Sequence, residues 1–151
     1  MKGWAGGFPG LIGGILTAGG TLLPWLSVYA GLYRYPAIVG THGKLLFAAG
    51  LLTAALGAVL VLWPRRPLLW GVGLLGFGEL ALAGYLTAQL LAATWGNLSH
   101  YPFLVVSFGP GPVVSLVGAG LSFLTLFLAP PASSLPAPGS TGNPRPAQWP
   151  S

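Results

Sequence analysis

The sequence predicts an all-α membrane protein in which four transmembrane helices are joined by short outer loops. Its 151 residues are 54% hydrophobic, with six basic residues and one acidic residue, and its mean hydropathy is +0.77. This composition is typical of multi-span membrane proteins rather than soluble domains. The chain also has no cysteine, which excludes disulfide frameworks and thiolate metal sites.

Four apolar segments are close to the roughly 17 to 25 residues that a helix needs to cross a hydrocarbon core of about 30 Å. Pro24 either kinks or ends the first segment, because proline lacks the N–H that a helix interior requires. Pro112 is well placed to begin the fourth. The predicted spans are about 7–29, 45–63, 68–94 and 113–128, within a bundle domain 1–128.

The last part of the chain, 129–151, is dominated by Pro, Ser, Ala and Gly and has a single charge, Arg145. Such a composition buries too little apolar surface to offset the entropy lost on ordering. We therefore predict a disordered, Pro-rich cytoplasmic tail.

The basic residues predict how the chain is oriented in the membrane. Positive charges concentrate in cytoplasmic loops, and four basic residues fall on one side of the predicted spans against two on the other. The first group is Lys2, Arg65, Arg66 and Arg145, and the second is Arg34 and Lys44. Both termini are therefore expected on the cytoplasmic side of a bacterial plasma (inner) membrane. The net charge of +5 is scattered, which predicts contact with anionic lipids and not with nucleic acid.

Four tryptophans near predicted span ends, Trp25, Trp63, Trp70 and Trp95, are expected to anchor the helices at the membrane interface. An indole ring has an apolar body and a polar N–H, so it is stable between acyl chains and headgroups.

Residues 32–39 can be aligned on residues 98–105 at an offset of 66, with Leu, Tyr, Pro and Val identical. This match predicts two tandem helical hairpins related by a pseudo-twofold axis along the membrane normal. Coincidence in Leu- and Gly-rich sequence is the alternative. The runs 37–39 and 103–106 favour extended backbone, so the outer loops either pair as a small sheet or lie in the interface.

Small residues recur at helical spacing in all four predicted spans. Such positions form grooves that let helix backbones approach closely in lipid. The faces are either all satisfied within the bundle or one is left outward for a partner subunit. They consist of Gly6, Gly10, Gly14 and Ala18; Gly50, Ala54 and Ala58; Gly84, Ala88 and Ala92; and Ser115, Gly118, Ser122 and Thr125.

Glu79 is the one acidic residue of the chain and lies eleven residues beyond Leu68, about 17 Å along the third helix. A carboxylate at that depth costs roughly 2.5 to 3.5 kcal/mol on insertion scales. Gly76 and Ala83 share its helical face, which points Glu79 into the bundle. It is a protonated side chain hydrogen-bonded to another helix, a proton or cation site, or a partner for a basic group on another subunit. Hydroxyls that could contact it belong to Thr17, Thr21, Thr53 and Ser122.

Catalytic and cofactor chemistry is not predicted. His42 and His100 lie in or beside outer loops, whereas haem between membrane helices needs facing histidines within the spans. One glutamate and two distant histidines cannot assemble the paired acids, metal cluster or activated nucleophile of a hydrolase or transferase. We predict no metal, no cofactor and no independent enzyme activity.

Residues 22–28 read Leu-Leu-Pro-Trp-Leu-Ser-Val and precede a short Gly- and Tyr-containing loop. With the Gly-rich second span, this resembles small uncharacterised four-span membrane proteins of GC-rich bacteria, over about residues 10–60. The resemblance implies a bacterial membrane location and no particular activity. A looser similarity to claudin-type four-span proteins, through Trp25 and Gly31-Leu32-Tyr33, is architectural only, because this chain lacks the loop cysteines and has a shorter first loop.

Two functions follow from these observations. The first is an accessory or scaffolding subunit that packs against a larger plasma-membrane complex, as a hetero-complex or homo-oligomer. The second is a small transporter or ion-coupled carrier in which Glu79 is the protonatable group.

Overall fold

The computed structural model describes residues 7–28, 33–63, 65–98 and 106–128. Several sequence-based predictions concern residues outside these ranges. They are the basic residues Lys2 and Arg145, the packing residue Gly6, the histidine His100, and the tail 129–151.

Four helices make up most of the described chain: α1 at Gly7–Leu22, α2 at Thr41–Leu62, α3 at Arg66–Leu98 and α4 at Gly111–Leu124. Two of them, α2 and the Arg66–Trp95 part of α3, are long and apolar enough to cross a membrane, while α1 and α4 are shorter apolar helices. Pro112 lies in the first turn of α4, where its missing N–H costs no hydrogen bond. Beyond Leu124, hydrogen bonds from residue i to i−3 continue the chain as tight turns through Phe127.

Pro24 ends the first helix rather than kinking it. The last backbone bond of α1 runs from the Leu23 N–H to the Gly19 carbonyl, 3.3 Å away, and Pro24 has no N–H with which to continue the ladder. Residues 24–28, expected within the first span, instead form strand β1 at Pro24–Val28.

A small sheet therefore interrupts the predicted all-α architecture, and that prediction was wrong in this respect. Strands β2 (Tyr33–Pro36) and β3 (Val106–Phe108) flank β1 in the order β2-β1-β3. Both pairings are antiparallel, with Val28 opposite Tyr33 and Leu26 opposite Phe108. The first expected strand, Ala37–Val39, is a 3-10 turn. Most of the second, residues 103–105, is outside the described ranges.

The two predicted hairpins differ at the sheet end of the molecule. At an offset of 66, β1 corresponds to residues 90–94, which remain helical within α3. Residues 99–105, the counterpart of β2 and of the 3-10 turn, are outside the described ranges. The internal repeat stays a prediction.

The helices form a ring in which α1 packs against α2 on one side and α4 on the other. Helix α3 completes the ring against α4 and, less extensively, α2. The polypeptide enters α2 from the sheet end and leaves it next to Arg65, so the described basic residues Lys44 and Arg65 lie at opposite ends of this helix.

Candidate functional site

Glu79 lies in the interior of the helix ring. It is 1% exposed and is about 20 Å from the start of α3 at 1.5 Å per residue. Among the described residues it is the one buried side chain that can carry a charge. Its environment therefore determines what the interior of the bundle can do chemically.

One carboxylate oxygen of Glu79 has a partner and the other does not. The hydroxyl of Thr53, in the middle of α2, donates a hydrogen bond to Oε1, and Thr53 is fully buried. Oε2 is buried without a hydrogen-bond partner. The carboxyl group thus joins α2 to α3 through one oxygen and leaves a strong acceptor on the other.

Two further buried oxygens, from α1 and α4, also lack partners. Thr17 and Ser122 are fully buried, and neither hydroxyl has a hydrogen-bond partner. Thr17 lies beside the Glu79 carboxyl. Ser122 packs one turn away, where a Cβ placed on Gly76 would be 2.7 Å from the Ser122 Cβ. We call Thr17, Thr53, Glu79 and Ser122 the central oxygen cluster; each of the four helices contributes one member.

Two of the four hydroxyl residues that the sequence suggested as neighbours of Glu79, Thr53 and Thr17, lie at its carboxyl group, and Ser122 lies one helical turn away, against Gly76. The fourth, Thr21, donates to the Ala18 carbonyl of its own helix at 2.7 Å. A threonine that bonds to its own helix in this way is satisfied locally, and Thr21 has no need of the carboxyl group.

The seam between α1 and α2 is made by glycine and alanine in direct backbone contact. A Cβ on Gly14 would lie 2.3 Å from the Ala54 nitrogen, and one on Gly50 would lie 2.7 Å from the Ala18 nitrogen. No side chain fits at such distances. Gly10 approaches Gly57 in the same seam, whereas the predicted packing residue Ala58 is only partly buried.

A second seam joins the opposite side of α1 to α4. A Cβ on Gly118 would lie 2.5 Å from the Thr17 nitrogen, and one on Gly20 would lie 2.7 Å from the Ser115 nitrogen. The Ser115 hydroxyl faces the Thr17 carbonyl at 3.5 Å. Gly13 and Gly20, which sequence reasoning missed, carry the α1 side of this seam. Their signal is the spacing Gly13, Thr17, Gly20, which places three small residues on one helical face.

The small-residue face of α3 has a different environment. A Cβ added to Gly84 would meet nothing within 4 Å, and the same is true of Gly71 and Gly78. Ala88 and Ala92 are exposed. Within the described chain this face contacts no other helix. The inward side of α3 is different, because a Cβ added to Gly76 would lie 2.5 Å from the Phe123 nitrogen of α4.

The sheet end is closed by Trp25. This side chain is 5% exposed and its Nε1 donates to the Gly20 carbonyl at 2.9 Å, so the expected interface anchor is a core residue. Trp63, Trp70 and Trp95 are 67%, 59% and 75% exposed. Trp25 differs from the other three tryptophans because Pro24 ends α1, and the chain then turns back over the end of the bundle, which places the Trp25 indole in the core.

An open cavity of about 350 Å³ lies at the sheet end between β1, β2 and the second half of α3. His42 and Gln89 are polar residues in its lining, and Leu86 and Leu90 are apolar ones. A core of Trp25, Leu46 and Ala83 lies next to Leu86 and Leu90, and Ala83 is one helical turn beyond Glu79. Within the described chain there is no group of three or more His, Cys, Asp or Glu side chains that could hold a metal ion.

No known protein family model matches this chain, and no match was found among curated proteins or solved structures. The functional assignment therefore depends on the geometry of the central oxygen cluster, the two seams and the outward face of α3.

Proposed function

We propose that this chain is a non-enzymatic, multi-pass membrane protein that packs, as an accessory or scaffolding subunit, against a larger plasma-membrane complex. The observation that carries the proposal is the outward face of α3, defined by Gly71, Gly78, Gly84, Ala88 and Ala92. Its small residues are of the types found in the two seams and alternate with exposed large side chains such as Leu74, Phe77 and Tyr85, and no helix lies against it in the described chain.

The membrane location is supported by the outside of the ring. Large apolar side chains are exposed on all four helices, which is unfavourable in water and favourable against acyl chains. In this proposal all four helices span the bilayer and both termini are cytoplasmic. The exposed side chains include Phe8, Ile15, Leu51, Leu52, Leu74, Phe77, Val117 and Phe127.

Small residues favour association of helices because they let two helix backbones come close together. In lipid there is little hydrophobic drive between helices, so association depends on dispersion and weak hydrogen bonds between backbones that small residues allow to meet. Inside this chain every described glycine of the two seams has a neighbour at such a distance. A partner helix on the outward face of α3 would gain the same contacts.

Native mass spectrometry of the full chain, extracted gently from its own membranes, tests the proposal. Wild type is expected to co-purify with a larger membrane partner in fixed stoichiometry. Ala88→Leu, which fills the outward face of α3, is expected to reduce the co-purified partner by about tenfold, the effect of removing about 1.4 kcal/mol of contact.

Ala55→Leu is the matched control, because Ala55 is exposed on α2 and the added volume is the same. It is expected to retain the partner. A wild-type chain that emerges as a monodisperse monomer, or an Ala88→Leu chain that keeps its partner, contradicts the accessory role.

One observation favours a second candidate, a small ion-coupled carrier. Glu79 and the partnerless hydroxyls of Thr17 and Ser122 lie in the interior, and polar groups at that depth are expensive unless they serve transport or a partner. The seams explain helix packing without any of these three oxygens.

A further inference from the structure

We propose that the central oxygen cluster is a binding site for one dehydrated monovalent cation, held by Oε2 of Glu79 and the hydroxyls of Thr17 and Ser122. An ion-coupled carrier must bind its ion, and this site would do so. The inference rests on the second proposed function, in which α3 crosses the bilayer. It does not require transport. Na⁺ is the cation that the experiment uses, and protonation of Glu79 without a bound cation is the outcome that contradicts the site.

The threonines of this chain show that Thr17 behaves unusually. Thr21, Thr87 and Thr125 each donate to a carbonyl of their own helix at 2.7 Å. A buried threonine without another partner ordinarily does so, because its side chain reaches the carbonyl three or four residues earlier. Thr17 is fully buried and does not make this bond. Thr17 lies beside the Glu79 carboxyl group instead.

The glycines of the second seam leave space for both hydroxyls. A Cβ on Gly118 would lie 2.8 Å from the Thr17 Oγ1, and a Cβ on Gly13 would lie 2.4 Å from the Ser122 Oγ. An alanine at either position would displace one of the oxygens. Oxygens from α1 and α4 are thereby held on the side of the ring where α3 presents Gly76 and Glu79.

The charge of the cluster selects the ligand. Its four members are oxygen donors from Thr17 on α1, Thr53 on α2, Glu79 on α3 and Ser122 on α4, and within the described chain no second titratable side chain is buried with them. One carboxylate is balanced by one positive charge. Oxygen ligands favour hard cations over soft transition metals, and a divalent ion on a single carboxylate would leave one positive charge unbalanced in the interior of the bundle.

Thermal unfolding of the full chain in lipid nanodiscs tests the site, with NaCl replaced stepwise by choline chloride at constant ionic strength. If Na⁺ is the ligand, the Tm of wild type rises with Na⁺ to a plateau, because a ligand that binds only the folded state stabilises it. Choline, which is too large for the cluster, leaves the Tm unchanged.

Thr17→Val and Thr21→Val form a matched pair, since both positions are fully buried on α1 and only the Thr21 hydroxyl has a partner. Thr17→Val is expected to raise the Na⁺ concentration at half-effect by about tenfold, and Thr21→Val is expected to leave it unchanged. If no cation binds, the Tm of Thr17→Val does not depend on Na⁺ and neither does that of wild type, because loss of the Thr17 contact with the Glu79 carboxyl group changes the Tm equally at every Na⁺ concentration.

If Na⁺ has no effect and the Tm depends on pH in wild type but not in Glu79→Gln, Glu79 is a protonated carboxyl group without a bound cation, and the site is overturned. His42 is exposed at the sheet end and is present in both chains, so the comparison isolates residue 79. Should Glu79→Gln fail to fold, Ser122→Ala and Thr17→Val are compared with wild type in the Na⁺ series, since both keep the carboxyl group and change only its hydroxyl neighbours. A Tm with the same response to Na⁺ and to pH in wild type and in these variants overturns the site.

Flux of Na⁺ or protons into liposomes separates this inference from the carrier candidate. Binding without flux removes the carrier and leaves the site. Flux that persists in Glu79→Gln and Thr17→Val leaves a carrier without this site, and the absence of both binding and flux removes both.

Discussion

Two regions of this molecule use the same small residues with opposite results. On α1, Gly14 and Gly20 lie so close to neighbouring helices that an added Cβ would be 2.3 Å from an atom of α2 or of α4. On the outward face of α3, Gly84 has no neighbour within 4 Å of that position. The residues are alike, so the difference comes from what is packed against them.

This comparison shows what a small-residue pattern does and does not imply. The spacing permits backbones to approach but does not select the partner. Helix α1 carries such residues on two sides and becomes the centre of the ring, whereas α3 has one side filled by α4 and another outward. An unmatched face on an otherwise packed helix is where an intermolecular contact is expected.

The largest expected effect comes from adding bulk to the first seam. Gly14→Leu places a side chain against the backbone of α2, and we expect the free energy of unfolding to fall by at least about 3 kcal/mol. Gly84→Leu, on the outward face, is expected to change it by less than about 0.5 kcal/mol. Equilibrium unfolding in mixed detergent micelles measures both variants, and similar losses in the two would break the comparison.

The tryptophans give the next largest effect. Trp25→Ala removes a buried ring and its hydrogen bond to Gly20, so a loss of about 3 to 5 kcal/mol is expected. Trp95→Ala removes an exposed ring at the far end of α3 and is expected to fall within about 0.5 kcal/mol of wild type. The same unfolding measurement in micelles tests both variants, and a loss for Trp25→Ala as small as that expected for Trp95→Ala would contradict the core position of Trp25.

The smallest expected effect on the free energy of unfolding has opposite signs in the two regions, so it distinguishes them most clearly. Gly84→Ala adds a helix-favouring residue in open space and is expected to stabilise the chain by about 0.5 to 1 kcal/mol. Gly50→Ala adds the same methyl group 2.7 Å from the Ala18 nitrogen and is expected to destabilise it by about 1 to 3 kcal/mol. Unfolding curves of the two variants, measured side by side in micelles, test this prediction. If both substitutions change the free energy of unfolding in the same direction, α1 and α2 tolerate separation.

Much of the helical core could be predicted from periodicity and the spacing of small residues. The predicted packing residues Gly14 and Ala18 lie against Gly50 and Ala54, and Gly118 lies against Thr17. The sequence did not indicate that Gly13 and Gly20 belong to a second seam, because a glycine on a Gly-rich helix is informative only once its neighbour is known. Helix α1 is as rich in small residues on one side as on the other.

The sequence left a small outer sheet open as one alternative, but it did not indicate that residues 24–28 form the central strand. Residues 24–28 are as apolar as the helix before them, so hydropathy merges them with α1. Pro24 marks the boundary, but a proline near the end of a membrane segment is compatible with both a kink and a stop. Pairing with β2 and β3 decides for the strand, and these partners come from distant parts of the chain.

Composition and pattern are sufficient to specify four apolar helices, their approximate limits and a single acidic side chain, because burial in an apolar medium depends on residue type and length alone. The three-dimensional arrangement decides which glycines meet a neighbour, which tryptophan is buried, and which oxygens surround Glu79. Those outcomes depend on contacts between residues far apart in the chain, such as Thr17 with Gly118 and Thr53 with Glu79. The local sequence around each residue does not determine these long-range contacts.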